Sequence, residues 1–138
     1  MDVGRRALGV VAKAVALAVA LAAAGAAHGA GEALFILQTS PVAGFQHYAG
    51  PSLFPLMRVG DGLVLSREPE NPYDPLAVRV LWHGVQIGYA PRQENADLAR
   101  FMDRGVKVEG RVLHLQPSKD PWKRVLMEIL IVEEEVKP

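Results

Sequence analysis

Val78-Arg79-Val80-Leu81-Trp82-His83-Gly84-Val85-Gln86-Ile87-Gly88-Tyr89 is two apolar runs on either side of a two-residue His-Gly turn. That arrangement predicts a β-hairpin, with Val85, Ile87 and Tyr89 on one face. Working outward, Leu63 to Arg67 follows the turn residues Asp61-Gly62 and reads as the preceding strand. Leu34 to Leu37 reads as a first strand, with Val42 to Phe45 extending it after a bend at Pro41, and Tyr48 to Ser52 as a turn. On the other side, Asn95, Leu98, Ala99 and Met102 recur at helical spacing, Pro91 suits a first helical position, and Gly105 suits the residue past the end. A helix is therefore expected between Pro91 and Arg104. Val106 to Leu115 alternates as a strand until its phase slips at Leu113, which places a bulge near Gly110, and Lys123 to Val132 reads as a long last strand. The sum is a mostly β domain with one or two short helices. About six strands suit a small barrel of the oligonucleotide-binding type better than a sandwich.

The chain has 138 residues, enough for one domain with a single small core. It contains no cysteine, which removes disulfide frameworks, thiolate metal sites and cysteine nucleophiles. Beyond residue 30 there are 12 basic and 14 acidic residues, a net charge of −2. Bulk electrostatic attraction to nucleic acid or to an anionic membrane is excluded by that balance, so any anion must be held locally.

Residues 1 to 30 have their own logic. Arg5, Arg6 and Lys13 precede the apolar run Ala14 to Ala24, and the small-residue stretch Gly25 to Gly31 follows. This order is that of a secretory signal helix, which implies a periplasmic or secreted domain over 31–138. The rival is an uncleaved anchor facing the periplasm. From Ala14 to Ala27 a helix would reach only about 21 Å, against a hydrocarbon core of roughly 30 Å.

The densest local signal is Arg67-Glu68-Pro69-Glu70-Asn71-Pro72-Tyr73-Asp74-Pro75, which joins one strand to the next. Three prolines stiffen it, and Asn71 and Asp74 can bond nearby backbone groups. Turn chemistry accounts for Pro, Asn and Asp but leaves Tyr73 unexplained. This loop, together with Gly44-Phe45-Gln46-His47-Tyr48, Ala77-Val78-Arg79-Val80 and Gly88-Tyr89-Ala90-Pro91-Arg92, resembles the HIRAN domain family in order and spacing from Pro41 to Val112. The resemblance implies a modified oligonucleotide-binding barrel that binds single-stranded DNA at a free 3′ end. It further implies that Tyr48 stacks on a terminal base, that Asn71, Tyr73 and Asp74 surround the end nucleotide, and that Asp74 accepts from the 3′ hydroxyl. Tyr89 falls where helicase-attached members carry His, and Arg92 where they carry a basic residue near the phosphates. Gln46 and His47 stand where DNA-binding members have Arg and Tyr, a loss of one cation and one ring.

The residues carry compatible chemistry on their own. A carboxylate accepts from a hydroxyl and repels a phosphate, tyrosine faces stack on any base, and Arg67 and Arg92 are candidates for backbone oxygens. Each has a plainer role too: Tyr48 and Tyr89 as rim packing, Asp74 as a partner of Arg67 or a turn cap. Trp82 and Trp122 read as packing residues, and Phe101 and Met102 as core. His47, His83 and His114 lack the paired spacing of a metal site, and neither a phosphate loop nor a nucleophile elbow is present, so the expectation is a monomeric binding module without cofactor, metal or catalytic residues. A nuclease using Asp74 with Tyr or His is the minor enzymatic alternative. The competing non-enzymatic reading is an exported module whose barrel mouth binds a periplasmic protein, glycan or cell-wall component.

Overall fold

His83 and Gly84 both take left-handed backbone angles, φ 48° and 78°, as a tight turn matching the right-handed twist of two strands requires. The computed structural model describes residues 33–133. The expected signal segment and most of the acidic tail, Glu134 onward, lie outside the described residues. Six strands, β1 (Ala33–Pro41), β2 (Gly62–Glu68), β3 (Ala77–Trp82), β4 (Val85–Tyr89), β5 (Val108–Leu115) and β6 (Val125–Val132), form one antiparallel sheet in the order β1-β6-β5-β2-β3-β4. Among the described residues, two short α-helices accompany it: α1 (Gly50–Leu53) and α2 (Ala96–Asp103).

The two ends of that sheet meet. Just past β1, Ala43 pairs with Tyr89 at the end of β4, each donating its amide to the other's carbonyl at 2.8 and 2.9 Å. This closes the sheet into a barrel. Inward-facing Leu63, Leu65, Val78, Val80, Ile87, Val112, Met127 and Ile129 fill it, joined by Phe45 and by Leu98 and Ala99 of α2. Burying such side chains contributes roughly 1.5–3 kcal/mol each relative to exposure.

The hairpin departs from simple alternation in one place. Trp82 pairs with Val85 and Leu81 with Gln86, but Val80 then pairs with Gly88, leaving Ile87 as an extra residue. Val85, Ile87 and Tyr89 therefore do not share a face. Ile87 is fully buried, whereas Tyr89 pairs with Arg79 and stands on the outer side of the sheet. A bulge of this kind re-aims the side chains that follow it.

Other boundaries differ for local reasons. The slip at Leu113 is real, with the register shifting between Val112 and His114. Gly110 is not its cause, since it pairs regularly and is small because a Cβ there would meet the Leu63 Cβ at 3.0 Å. Val42 to Phe45 is not a strand: Gly44 takes φ 70° and Phe45–His47 forms a 3₁₀ turn. The Tyr48 to Ser52 segment runs into α1 rather than a simple turn. The helix expected from Pro91 to Arg104 is split into a 3₁₀ turn (Arg92–Glu94) and α2, with Asn95 between them. β5 begins at Val108 and β6 at Val125, because Pro121–Lys123 forms a 3₁₀ turn capped by Asp120. Trp82 packs inside as expected, but Trp122 is exposed, and Phe101 is only half-buried beneath the Arg104 guanidinium.

Candidate nucleic-acid interface

The β2–β3 loop is built on Asn71. Its side-chain oxygen accepts the amides of Tyr73 and Asp74 at 2.9 and 3.1 Å, and its own amide donates to Glu68 Oε1 at 2.9 Å. Asp74 continues the scaffold: Oδ1 accepts the Leu76 amide at 2.9 Å, and Oδ2 accepts from Asn95 Nδ2 at 2.7 Å. Pro69, Pro72 and Pro75 restrict the backbone further, which lowers the entropy cost of ordering this loop. Arg67 fastens its base. The guanidinium donates to Asp103 Oδ1 at 2.9 Å and Oδ2 at 3.2 Å, to the Ala77 carbonyl at 2.7 Å and to the Pro75 carbonyl at 3.0 Å. The hydrogen bond from Arg67 in turn holds the Asp103 carboxyl below its ordinary value.

The loop overhangs an open groove of about 760 Å³ at the place where the barrel closes. Of the nine residues singled out from sequence, Tyr48, Arg67, Asn71, Tyr73, Asp74, Tyr89 and Arg92 line it. Gln46 and His47 are exposed on the neighbouring 3₁₀ turn and do not. Tyr48 and Tyr89 stand edge to face with ring centroids 5.7 Å apart. Tyr73 projects from the loop and is 83% exposed, Tyr48 40%. Arg92 is exposed on a 3₁₀ turn pinned to β1, where Ser40 Oγ donates to Glu94 Oε1 at 2.9 Å and Gln38 Nε2 donates to the Glu94 carbonyl at 3.1 Å.

Two members of the site are not singled out by the sequence. Glu68 follows Val64 and Ser66 on the outer face of β2, and its Oε1 accepts the Tyr89 hydroxyl at 2.7 Å as well as Asn71. One carboxylate thus ties the Tyr89 ring of β4 to the loop. Burial pushes the Glu68 carboxyl up, but the hydrogen bonds from Asn71 and Tyr89 and the charge of Arg79 outweigh it and hold the group below 4.5. Asn95, which its spacing places on the apolar stripe of a helix, is instead a buried polar side chain, 2% exposed, that holds Asp74. A polar residue in phase with Leu98 and Met102 is the signal that the sequence offers for it. Asp74 does not pair with Arg67; Asp103 takes that place.

With this geometry in view, comparison with known proteins decides the family: a model described as the HIRAN domain matches residues 37–134. The chain belongs to the HIRAN domain family. A protein of Lactobacillus plantarum known from its crystal structure is similar, with a TM-score of 0.63 and 27% identity over 72% of this chain and 95% of that one. The crystal structure of the HIRAN domain of human HLTF is also similar, with a TM-score of 0.56 and 25% identity over 70% of this chain and 76% of that one. No curated protein matches. The closed six-stranded sheet with few short helices is thus the HIRAN fold, and the groove lies within its matched span.

The Glu68–Tyr89 contact has a spectroscopic signature. Burial first, then the hydrogen bond to Glu68, push the Tyr89 phenol from 10.0 up to about 12. A raised folded value means that this contribution to stability is complete below 10.0 and is lost as pH rises through about 12. In an alkaline titration followed by phenolate absorbance, one of the three tyrosines should ionise near 12. Glu68→Ala, which removes the acceptor, should bring that late step part of the way down toward 10.0, the remainder being held by burial. An unchanged late step in the variant would show that the hydrogen bond does not control the ring.

Proposed function

We propose that this HIRAN domain binds the free 3′-hydroxyl end of single-stranded nucleic acid without reading its sequence. The observation that supports this most directly is the convergence of Tyr48, Tyr73, Tyr89 and Asp74 on one open groove. Aromatic faces stack on any base, each contributing about 1–3 kcal/mol with little sequence preference. Asp74 has carboxylate oxygens with roughly four acceptor positions, of which Leu76 and Asn95 use two, so a ligand hydroxyl can still donate to it.

Charge favours the same ligand. Glu68, Glu70 and Asp74 all line the groove, against Arg67 and Arg92. Arg67 spends its donors on Asp103, Ala77 and Pro75, which leaves Arg92 as the lining cation best placed for a backbone phosphate. A terminal hydroxyl suits such a pocket, whereas a terminal phosphate would bring its charge against the carboxylates. The test is the affinity of the purified full chain for labelled single strands ending in 3′-OH or 3′-phosphate, and for blunt duplex. The 3′-OH strand should bind at least about tenfold more tightly, a difference of about 1.4 kcal/mol. Homopolymers of different base should agree within a few-fold. Equal binding to all three ends would overturn the proposal.

A further inference from the structure

Of the two cations lining the groove, Arg67 is engaged by Asp103, Ala77 and Pro75, so a strand that places one phosphate at Arg92 must find its next phosphate contact outside. The sheet register shows where. Tyr89 is flanked by Ala43 on one side and by Arg79 on the other, and Arg79 in turn pairs with Ser66 of β2. Cross-strand partners share a face, so Ser66, Arg79 and Tyr89 form a row on the outer surface that begins inside the groove and leads away from it.

Arg79 is under-used in that row. Its side chain is 35% exposed. Nη2 donates to Ser66 Oγ at a long 3.3 Å. Nε lies 3.3 Å from Glu68 Oε2 but is misaligned for a hydrogen bond and has no such partner among the described residues. Glu68 meanwhile takes its short hydrogen bonds from Asn71 and Tyr89. A guanidinium has five donors, and the contrast with Arg67, whose donors make four bonds at 2.7 to 3.2 Å, is plain. Glu68 partly offsets the Arg79 charge on the Nε side, while the Nη edge keeps donors that a phosphate oxygen can take.

We infer that Arg79, with Ser66 beside it, is a second phosphate subsite that receives the next phosphate along the strand, the one on the 5′ side of the nucleotide preceding the 3′-terminal one. This rests on the 3′-end reading above. It gives the domain a footprint that runs across β2, β3 and β4 rather than ending at the loop.

The test compares two probes on the full chain: a nucleoside 5′-monophosphate and a 5′-phosphorylated dinucleotide, both with free 3′-OH. The dinucleotide should bind more tightly, and its affinity should fall more steeply with salt, by about 0.7 in the logarithmic slope for one added phosphate contact. Arg79→Gln should reduce the ratio of dinucleotide to mononucleotide affinity by about tenfold, and Arg79→Lys should keep most of that ratio. A ratio unchanged in Arg79→Gln, or equal salt slopes for the two probes on the native chain, overturns the subsite while leaving 3′-end binding intact. Failure of the native chain to bind either probe overturns the 3′-end reading, and the subsite with it.

Discussion

Gly88→Ala should cost this domain more stability than almost any other single methyl group. A Cβ built on Gly88 lies 2.3 Å from the Ala43 carbonyl oxygen and 2.6 Å from Val42 Cγ1. That oxygen accepts the Tyr89 amide, one of the two hydrogen bonds that close the barrel. The added methyl cannot be absorbed by rotating a flexible side chain, because the atom in its way is backbone. Relief requires separating Ala43 from Tyr89, which leaves polar groups without partners at about 1–3 kcal/mol each, on top of about 1–3 kcal/mol for overpacking. The total, about 4 kcal/mol or more, is a large part of the 5–15 kcal/mol typical of a domain. Thermal unfolding followed by circular dichroism should show a fall of roughly 15 °C or more. Gly62→Ala is the matched control: nothing lies within 4 Å of a Cβ there, and it should melt within a few degrees of the native chain. If Gly88→Ala melted like that control, the Ala43–Tyr89 closure would not be holding the barrel.

The same junction explains what could and could not be read in advance. The His83-Gly84 turn, the strand flanks and the six-stranded count follow from local pattern, because turn geometry and alternation are encoded within a few residues. The Ile87 bulge is not. It depends on how β4 seats against β3 while Gly88 makes room for Ala43, a contact between segments more than forty residues apart. Its consequence falls on the groove, since it turns Tyr89 out of the core and onto the surface beside Tyr48 and Glu68. Arg67 shows the same limit. As a residue type it is a phosphate ligand, and only Asp103, thirty-six positions away, makes it a structural clamp. The loop from Asn71 to Asp74 is readable because its hydrogen bonds are made largely within itself. Asn95 is not, because its partner Asp74 lies on another element.

Asp74 carries the largest expected effect on binding, and two substitutions there separate recognition from support. Asp74→Ala removes the acceptor of the Leu76 amide and of Asn95, whose side chain is 2% exposed and then has a buried amide without a partner. That variant should lose about 1–3 kcal/mol of stability along with its 3′-OH binding, so on its own it says little about the pocket. Asp74→Asn is the sharper probe. Its oxygen can still accept the Leu76 amide, and Asn95 can rotate its own amide to present oxygen to the new donor, so the turn is retained. What disappears is the negative charge facing the ligand, and with it the repulsion that a 3′-phosphate meets. Affinity for the 3′-OH strand should fall about tenfold or more, while affinity for the 3′-phosphate strand holds or rises, bringing the two toward equality. Fluorescence anisotropy with the two strands measures that ratio directly. An Asp74→Asn variant that folds as well as the native chain and still prefers 3′-OH by the native factor would mean that Asp74 only braces the loop, and that end selection is made by Glu68 or Glu70 at the same groove.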